Sequence, residues 1–66
     1  MNITLNGESS FFEKPLSVEE FVSLKNLNRE RIVVELNREI IKKEEYKTKL
    51  LNDGDVLEIV NFVGGG

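Results

Sequence analysis

Only one stretch of this 66-residue chain carries a full helical pattern, and the rest reads as strand and turn. Pro15 ends whatever precedes it and holds Lys14 extended, because its fixed φ and missing N–H cannot continue a ladder. Directly after it, Ser17 and Glu20 have the S-x-x-E spacing of a capping box, and Leu16 and Phe21 occupy the positions of a hydrophobic staple. Val18, Phe21, Val22 and Leu24 or Leu27 recur at helical spacing, with Glu19, Ser23 and Lys25 elsewhere on the cylinder. Asn26 or Asn28 stops the helix. One helix covers one face of one sheet, so the expected class is α+β with a single core layer.

The strands fall on either side of that helix. Residues Ile3 to Leu5 alternate and are followed by Asn6-Gly7, a pair suited to a type I′ hairpin because both positions tolerate positive φ; the second strand runs from about Glu8 to Phe12. After a polar linker, Asn28 to Arg31, the β-branched Ile32-Val33-Val34-Glu35-Leu36 is a strand. Asn37-Arg38-Glu39 turns it into a short partner at Ile40-Ile41, and the charged Lys42 to Lys49 stretch holds a single helical turn around Tyr46. Asn52-Asp53-Gly54-Asp55 is a dense turn signal before the longest strand, Val56 to Val63. That last strand is apolar at both parities and belongs in the middle of the sheet. A crossover helix after the first hairpin lets it pair in parallel with the first strand. The expected architecture is a β-grasp, a mixed sheet of four to five strands packed on one helix. Residues 1–63 form the domain and residues 64–66 a flexible glycine tail.

Composition narrows the chemistry. The chain has no Cys, His or Trp, so zinc, haem, iron–sulfur and disulfide readings lose their usual ligands. The thiol and imidazole that drive most small acid–base or nucleophilic sites are missing too, and a domain of this size cannot build both a deep cavity and a core. The expectation is a protein that is not itself an enzyme and works with a larger partner. No apolar run approaches the roughly 20 residues of a membrane span, and the expected location is cytoplasmic. The net charge of −3 argues against nucleic acid and is compatible with a basic protein partner.

The most informative segment is the end, where an apolar strand gives way to Gly64-Gly65-Gly66. A tail without Cβ atoms can pass through a channel that excludes side chains, and three extended residues reach roughly 10 Å. A free terminal carboxylate is a poor electrophile until activated, and an acyl-adenylate formed with ATP supplies the leaving group. Terminal glycines taken alone are more commonly a frayed end, but here they follow a strand directly, with no spacer or purification tag.

The last strand also carries surplus apolar surface. Leu57, Ile59 and Val63 share one face and Val56, Val60 and Phe62 the other, where Val34 or Leu36 joins them; the sequence leaves open which set faces out and whether loops cover it. Asp53, Asp55 and Glu58 fit no EF-hand spacing, and Asp53 and Asp55 read as turn formers around Gly54. Lys42, Lys43, Lys47 and Lys49 interleave with Glu44 and Glu45 as a solvated face. Tyr46 reads as a satellite core residue with its hydroxyl in water.

The length, Asn6-Gly7, Asn37-Arg38-Glu39-Ile40-Ile41, Asp53-Gly54-Asp55-Val56 and the ending Phe62-Val63-Gly64-Gly65-Gly66 together resemble the ThiS-type sulfur carriers of thiamine biosynthesis. The resemblance implies a ubiquitin-like β-grasp whose Gly66 is adenylated by a ThiF-type activating enzyme and converted to a thiocarboxylate. Gly64 and Gly65 would enter the partner's active site. Sulfur, supplied by a donor protein, would pass to thiazole synthase. ATP and magnesium would be used by the activating enzyme, with no cofactor bound by this chain. The family's outer-sheet contacts would map approximately to Val60 and Phe62. Three alternatives stay open: a molybdopterin-synthase-type small subunit, a ubiquitin-like protein modifier, and a binding module without tail chemistry.

Overall fold

A computed structural model describes residues 1–62. The chain runs β1 (Asn2–Leu5), β2 (Glu8–Phe11), α1 (Val18–Leu24), β3 (Ile32–Leu36), β4 (Glu39–Ile41) and β5 (Val56–Asn61). The sheet order is β2-β1-β5-β3-β4, with β5 central, parallel to β1 and antiparallel to β3. This is the mixed five-strand sheet on one helix that the residue pattern predicts. The described part of β5 ends at Asn61; Val63, the domain boundary beside it and the three tail glycines lie outside the described residues.

Both hairpins turn on left-handed residues. Asn6 and Gly7 have φ of 47° and 84°, as a type I′ turn requires, and Asn37 and Arg38 repeat the geometry at 51° and 72°. A Cβ at Gly7 would meet nothing within 4 Å, so the backbone angle and not crowding selects glycine there. Glu39, read as part of the second turn, pairs with Leu36 and opens β4, while Phe12 falls outside β2.

The helix is fixed by its ends. The Ser17 hydroxyl accepts from the Glu20 N–H at 3.0 Å, and the Ser17 N–H donates to the Glu20 carboxylate at 2.9 Å. The Val18 and Glu19 N–H groups donate to the Lys49 and Tyr46 carbonyls, so the first-turn donors that a helix cannot satisfy internally all have partners. At the other end Asn26 has φ 56°, its N–H donates to the Ser23 carbonyl, and the Leu27 N–H donates to the Val22 carbonyl. These are the two bonds of a Schellman stop, with asparagine in place of the usual glycine. Ser17→Ala should remove about 1 kcal/mol and lower the melting midpoint by roughly 4–8 °C; an unchanged midpoint would contradict this account of the helix start.

Val18, Phe21 and Val22 face the sheet and pack with Ile3, Val34 and Leu57. Leu24 is 61% exposed and Leu27 takes the place allowed to either, because the Schellman turn brings Leu27 back over the helix. Asn28 to Arg31 is a capped 3-10 turn and not a plain linker: the Asn28 side chain accepts from the Glu30 N–H at 2.9 Å.

Tyr46 departs from expectation. It is 1% exposed and sits in the main core. Its carbonyl anchors the helix start, and the Arg29 guanidinium lies 5.5 Å from its ring centre. Arg29 also reaches Glu19 at 2.9 Å and the Lys43 carbonyl at 3.1 Å, closing the helix, the turn before β3 and the 42–46 segment over the ring. Burial pushes the Tyr46 phenol above its ordinary 10.0, and the Arg29 charge partly offsets this. Because the folded state favours the neutral phenol, this contribution is complete below pH 10 and is lost as pH rises through the folded value. Stability of the wild-type chain above pH 10 should therefore fall more steeply than that of Tyr46→Phe. Urea melts at pH 9 and 11 on both proteins check this, and equal slopes would contradict it.

Candidate functional site at the open sheet face

With α1 on one side, the other face of the sheet has no covering element among the described residues. Register assigns the two faces. Leu57 pairs with Leu36 and is fully buried, and Ile59 pairs with Val34 on the same inner side. Val56, Val60 and Phe62 alternate outward at 44%, 58% and 55% exposure. Val34 and Leu36, offered by parity as companions of that outer set, lie in the core instead. Val33, opposite Val60, is the apolar β3 residue on the open face. Ile40, opposite Glu35, and Phe11, opposite Asn2, extend the apolar surface toward both edges, and both are exposed.

Two glutamates interrupt this surface. Glu35 and Glu58 pair directly across β3 and β5, an arrangement in which like charges repel. Between the hairpin turns lies a groove lined by Thr4, Asn37, Arg38, Val56 and Glu58. The arrangement is an apolar surface with an acidic centre, suited to docking and not to enclosing a small substrate.

The predicted turn formers behave as expected. Asp53 accepts from the Asn2 N–H at 2.6 Å, Asp55 accepts from the Asn52 N–H at 2.7 Å, and Gly54 has φ 87°. Among the described residues no three Asp or Glu side chains converge as a metal site. None of their helices is long and apolar enough to cross a membrane.

Of the sequence-predicted site residues, Val60 and Phe62 are brought together on the open face at the end of β5, while Gly64, Gly65 and Gly66 lie outside the described residues. The Phe62 N–H donates to the Arg31 carbonyl at 2.6 Å, so the chain is still held to the residue before β3 at that point. Sequence reasoning missed the asparagine clamps on β5. The Ile59 N–H donates to the Asn6 side chain at 2.9 Å, and the Val56 N–H donates to the Asn37 side chain at 2.9 Å. Asn6 and Asn37 signal only turns in the sequence, because their partners are far along the chain.

Comparison with known proteins agrees with this geometry. The family model described as ThiS family matches residues 3–66. The "Sulfur carrier protein ThiS" of Bacillus subtilis is 40% identical over 65 residues, covering 97% of this chain and 98% of that protein. A "Thiazole synthase" of Paramagnetospirillum magneticum is 39% identical over 66 residues, but the chain spans only 20% of its length. The crystal structure of thiamine biosynthesis protein ThiS from Geobacter metallireducens superposes with a TM-score of 0.85 at 39% identity, covering all of both chains. With the family model matched over residues 3–66 and a relative 40% identical over nearly the whole of both chains, the chain belongs to the ThiS family.

Proposed function

We propose that this protein is a sulfur carrier of thiamine biosynthesis whose Gly66 carboxylate is the reacting group. The observation that carries the reading is the whole-length match to the ThiS family, continuing through Gly66. In the first step a Gly66 carboxylate oxygen attacks the α-phosphorus of ATP, and the bond to the leaving pyrophosphate breaks. Hydrosulfide then attacks the acyl carbon and displaces AMP, leaving a thiocarboxylate; where a donor protein's persulfide attacks instead, AMP leaves from an acyl disulfide that a thiol must cleave, giving the thiocarboxylate and a disulfide. ATP and magnesium belong to a ThiF-type activating enzyme; this chain is a cosubstrate. Thiazole synthase is the proposed acceptor of the sulfur. The thiocarboxylate suits that role because its anion is nucleophilic while the sulfur stays on an activated acyl carbon.

The open sheet face supports the second half of the reading. Val60 stands on β5 and Phe62 just past its end, on the path into the tail, so a partner docked there is positioned to receive Gly64 and Gly65 in a narrow channel. The opposed Glu35 and Glu58 favour a basic counterpart, which would relieve their repulsion. The direct test is pyrophosphate release by a ThiF-type enzyme with ATP and magnesium. Release that depends on added carrier supports the reading. No release with a demonstrably active, cognate enzyme would overturn it.

A further inference from the structure

Strand β1 stops at Leu5 while β5 continues to Asn61, so the β1-facing edge of β5 outlasts its strand partner. The last β1 pairings are Thr4 with Val56 and Leu5 with Leu57, and the Asn6 N–H donates to the Leu57 carbonyl at 2.9 Å. Beyond that point the Asn6 side chain takes over. Its Oδ1 accepts from the Ile59 N–H at 2.9 Å and its Nδ2 donates to the Ile59 carbonyl at 3.3 Å. The carboxamide thus presents the donor and acceptor that another strand residue would have offered. The turn does not require this, since a glycine at Asn6 would satisfy a type I′ turn equally well.

Asn37 makes a matching arrangement at the start of β5. Its N–H donates to the Val56 carbonyl at 2.8 Å, its Oδ1 accepts from the Val56 N–H at 2.9 Å, and its Nδ2 donates to Asp55 at 3.0 Å. One turn asparagine therefore grips the beginning of β5 and the other grips its end. On the opposite edge, the Phe62 bond to Arg31 is the last backbone tie before residue 63.

We infer that Asn6 is a positioning residue for the tail reaction: its clamp on Ile59, with the Phe62–Arg31 bond, fixes where and in which direction the chain leaves the sheet toward Gly66. The inference rests on the proposed tail chemistry. Ile59 to Phe62 spans about 10 Å, so a tilt of roughly 5° at Ile59 moves Phe62, the last residue before the tail's attachment, by about 1 Å. Misplacements of that size can cost up to about 100-fold in rate.

The experiment compares Asn6→Gly, Asn6→Asp and Ser17→Ala in carrier-dependent pyrophosphate release, with amide exchange at Ile59 followed by NMR. Asn6→Gly keeps the turn and deletes the clamp. It should speed Ile59 exchange and lower kcat about tenfold, with KM for the carrier within about threefold. Asn6→Asp, which keeps the acceptor for the Ile59 N–H, should recover part of kcat. Ser17→Ala, which weakens the fold from the helix side and away from the open face, should leave kcat unchanged even though its melting midpoint falls. An unimpaired kcat in Asn6→Gly, a loss confined to KM, or an equal kcat loss in Ser17→Ala would overturn the inference alone. A wild-type carrier that is not adenylated would overturn the tail reading and this inference with it.

Discussion

One alanine added after Gly66 should reduce adenylation to background, a loss of at least about 100-fold, while leaving the melting midpoint where it was. The reacting group is the α-carboxylate. An added residue carries it about 3.5 Å further and puts a methyl group beside the acyl carbon, where a channel shaped for glycine has no room. Proximity effects of this kind make up a large share of a barrier, and a shift of ångströms forfeits them. Deleting Gly66 should be equally damaging in the other direction. The measurement is initial pyrophosphate release with a cognate ThiF-type enzyme, alongside a thermal melt. A normal rate from the extended chain would contradict the assignment of Gly66 as the reacting residue.

The double variant Val60→Asp, Phe62→Asp should weaken binding to the activating enzyme by at least about 100-fold. Burying each of these side chains in an interface is worth about 1.5–3 kcal/mol, and 1.4 kcal/mol corresponds to a factor of ten. New carboxylates beside Glu58 also worsen the repulsion that a basic partner would relieve. Folding should suffer far less, because both residues are more than half exposed. Leu24→Asp, on the helix at 61% exposure, is the control and should bind normally. Titration calorimetry with ATP-free enzyme checks the pair, and unchanged affinity in the double variant would remove the open face from the docking account.

What the sequence revealed about the fold was whatever is encoded locally. The Ser17–Glu20 box, the Asn6-Gly7 turn and the β-branched run of β3 each declare themselves within a few residues, and the structure contains all three; of the two asparagines offered as the helix stop, it uses Asn26. Central placement of β5 followed from its apolar residues at both parities. Which parity faced outward was not legible, because alternation gives two faces and only the register with Val34 and Leu36 says which one the helix covers. Tyr46 was underestimated for the same reason: it belongs to a core built by residues of other elements, and the Arg29 guanidinium lies over its ring. Arg38 at φ 72° was invisible as a left-handed residue, since arginine seldom adopts that conformation. In the candidate site, Val60 and Phe62 came from the outer-sheet contacts that the resemblance implies, because alternation along β5 left its outward set open. The Asn6 clamp was not, because it joins residues 53 positions apart.

The most direct test of the central claim is the intact mass of this protein after incubation with ATP, magnesium, a cognate ThiF-type enzyme and a sulfide source. The account predicts a gain equal to replacement of one oxygen by sulfur, absent when Gly66 is deleted. An unchanged mass with an enzyme proven active on another carrier, or the same gain in the deletion variant, would contradict it.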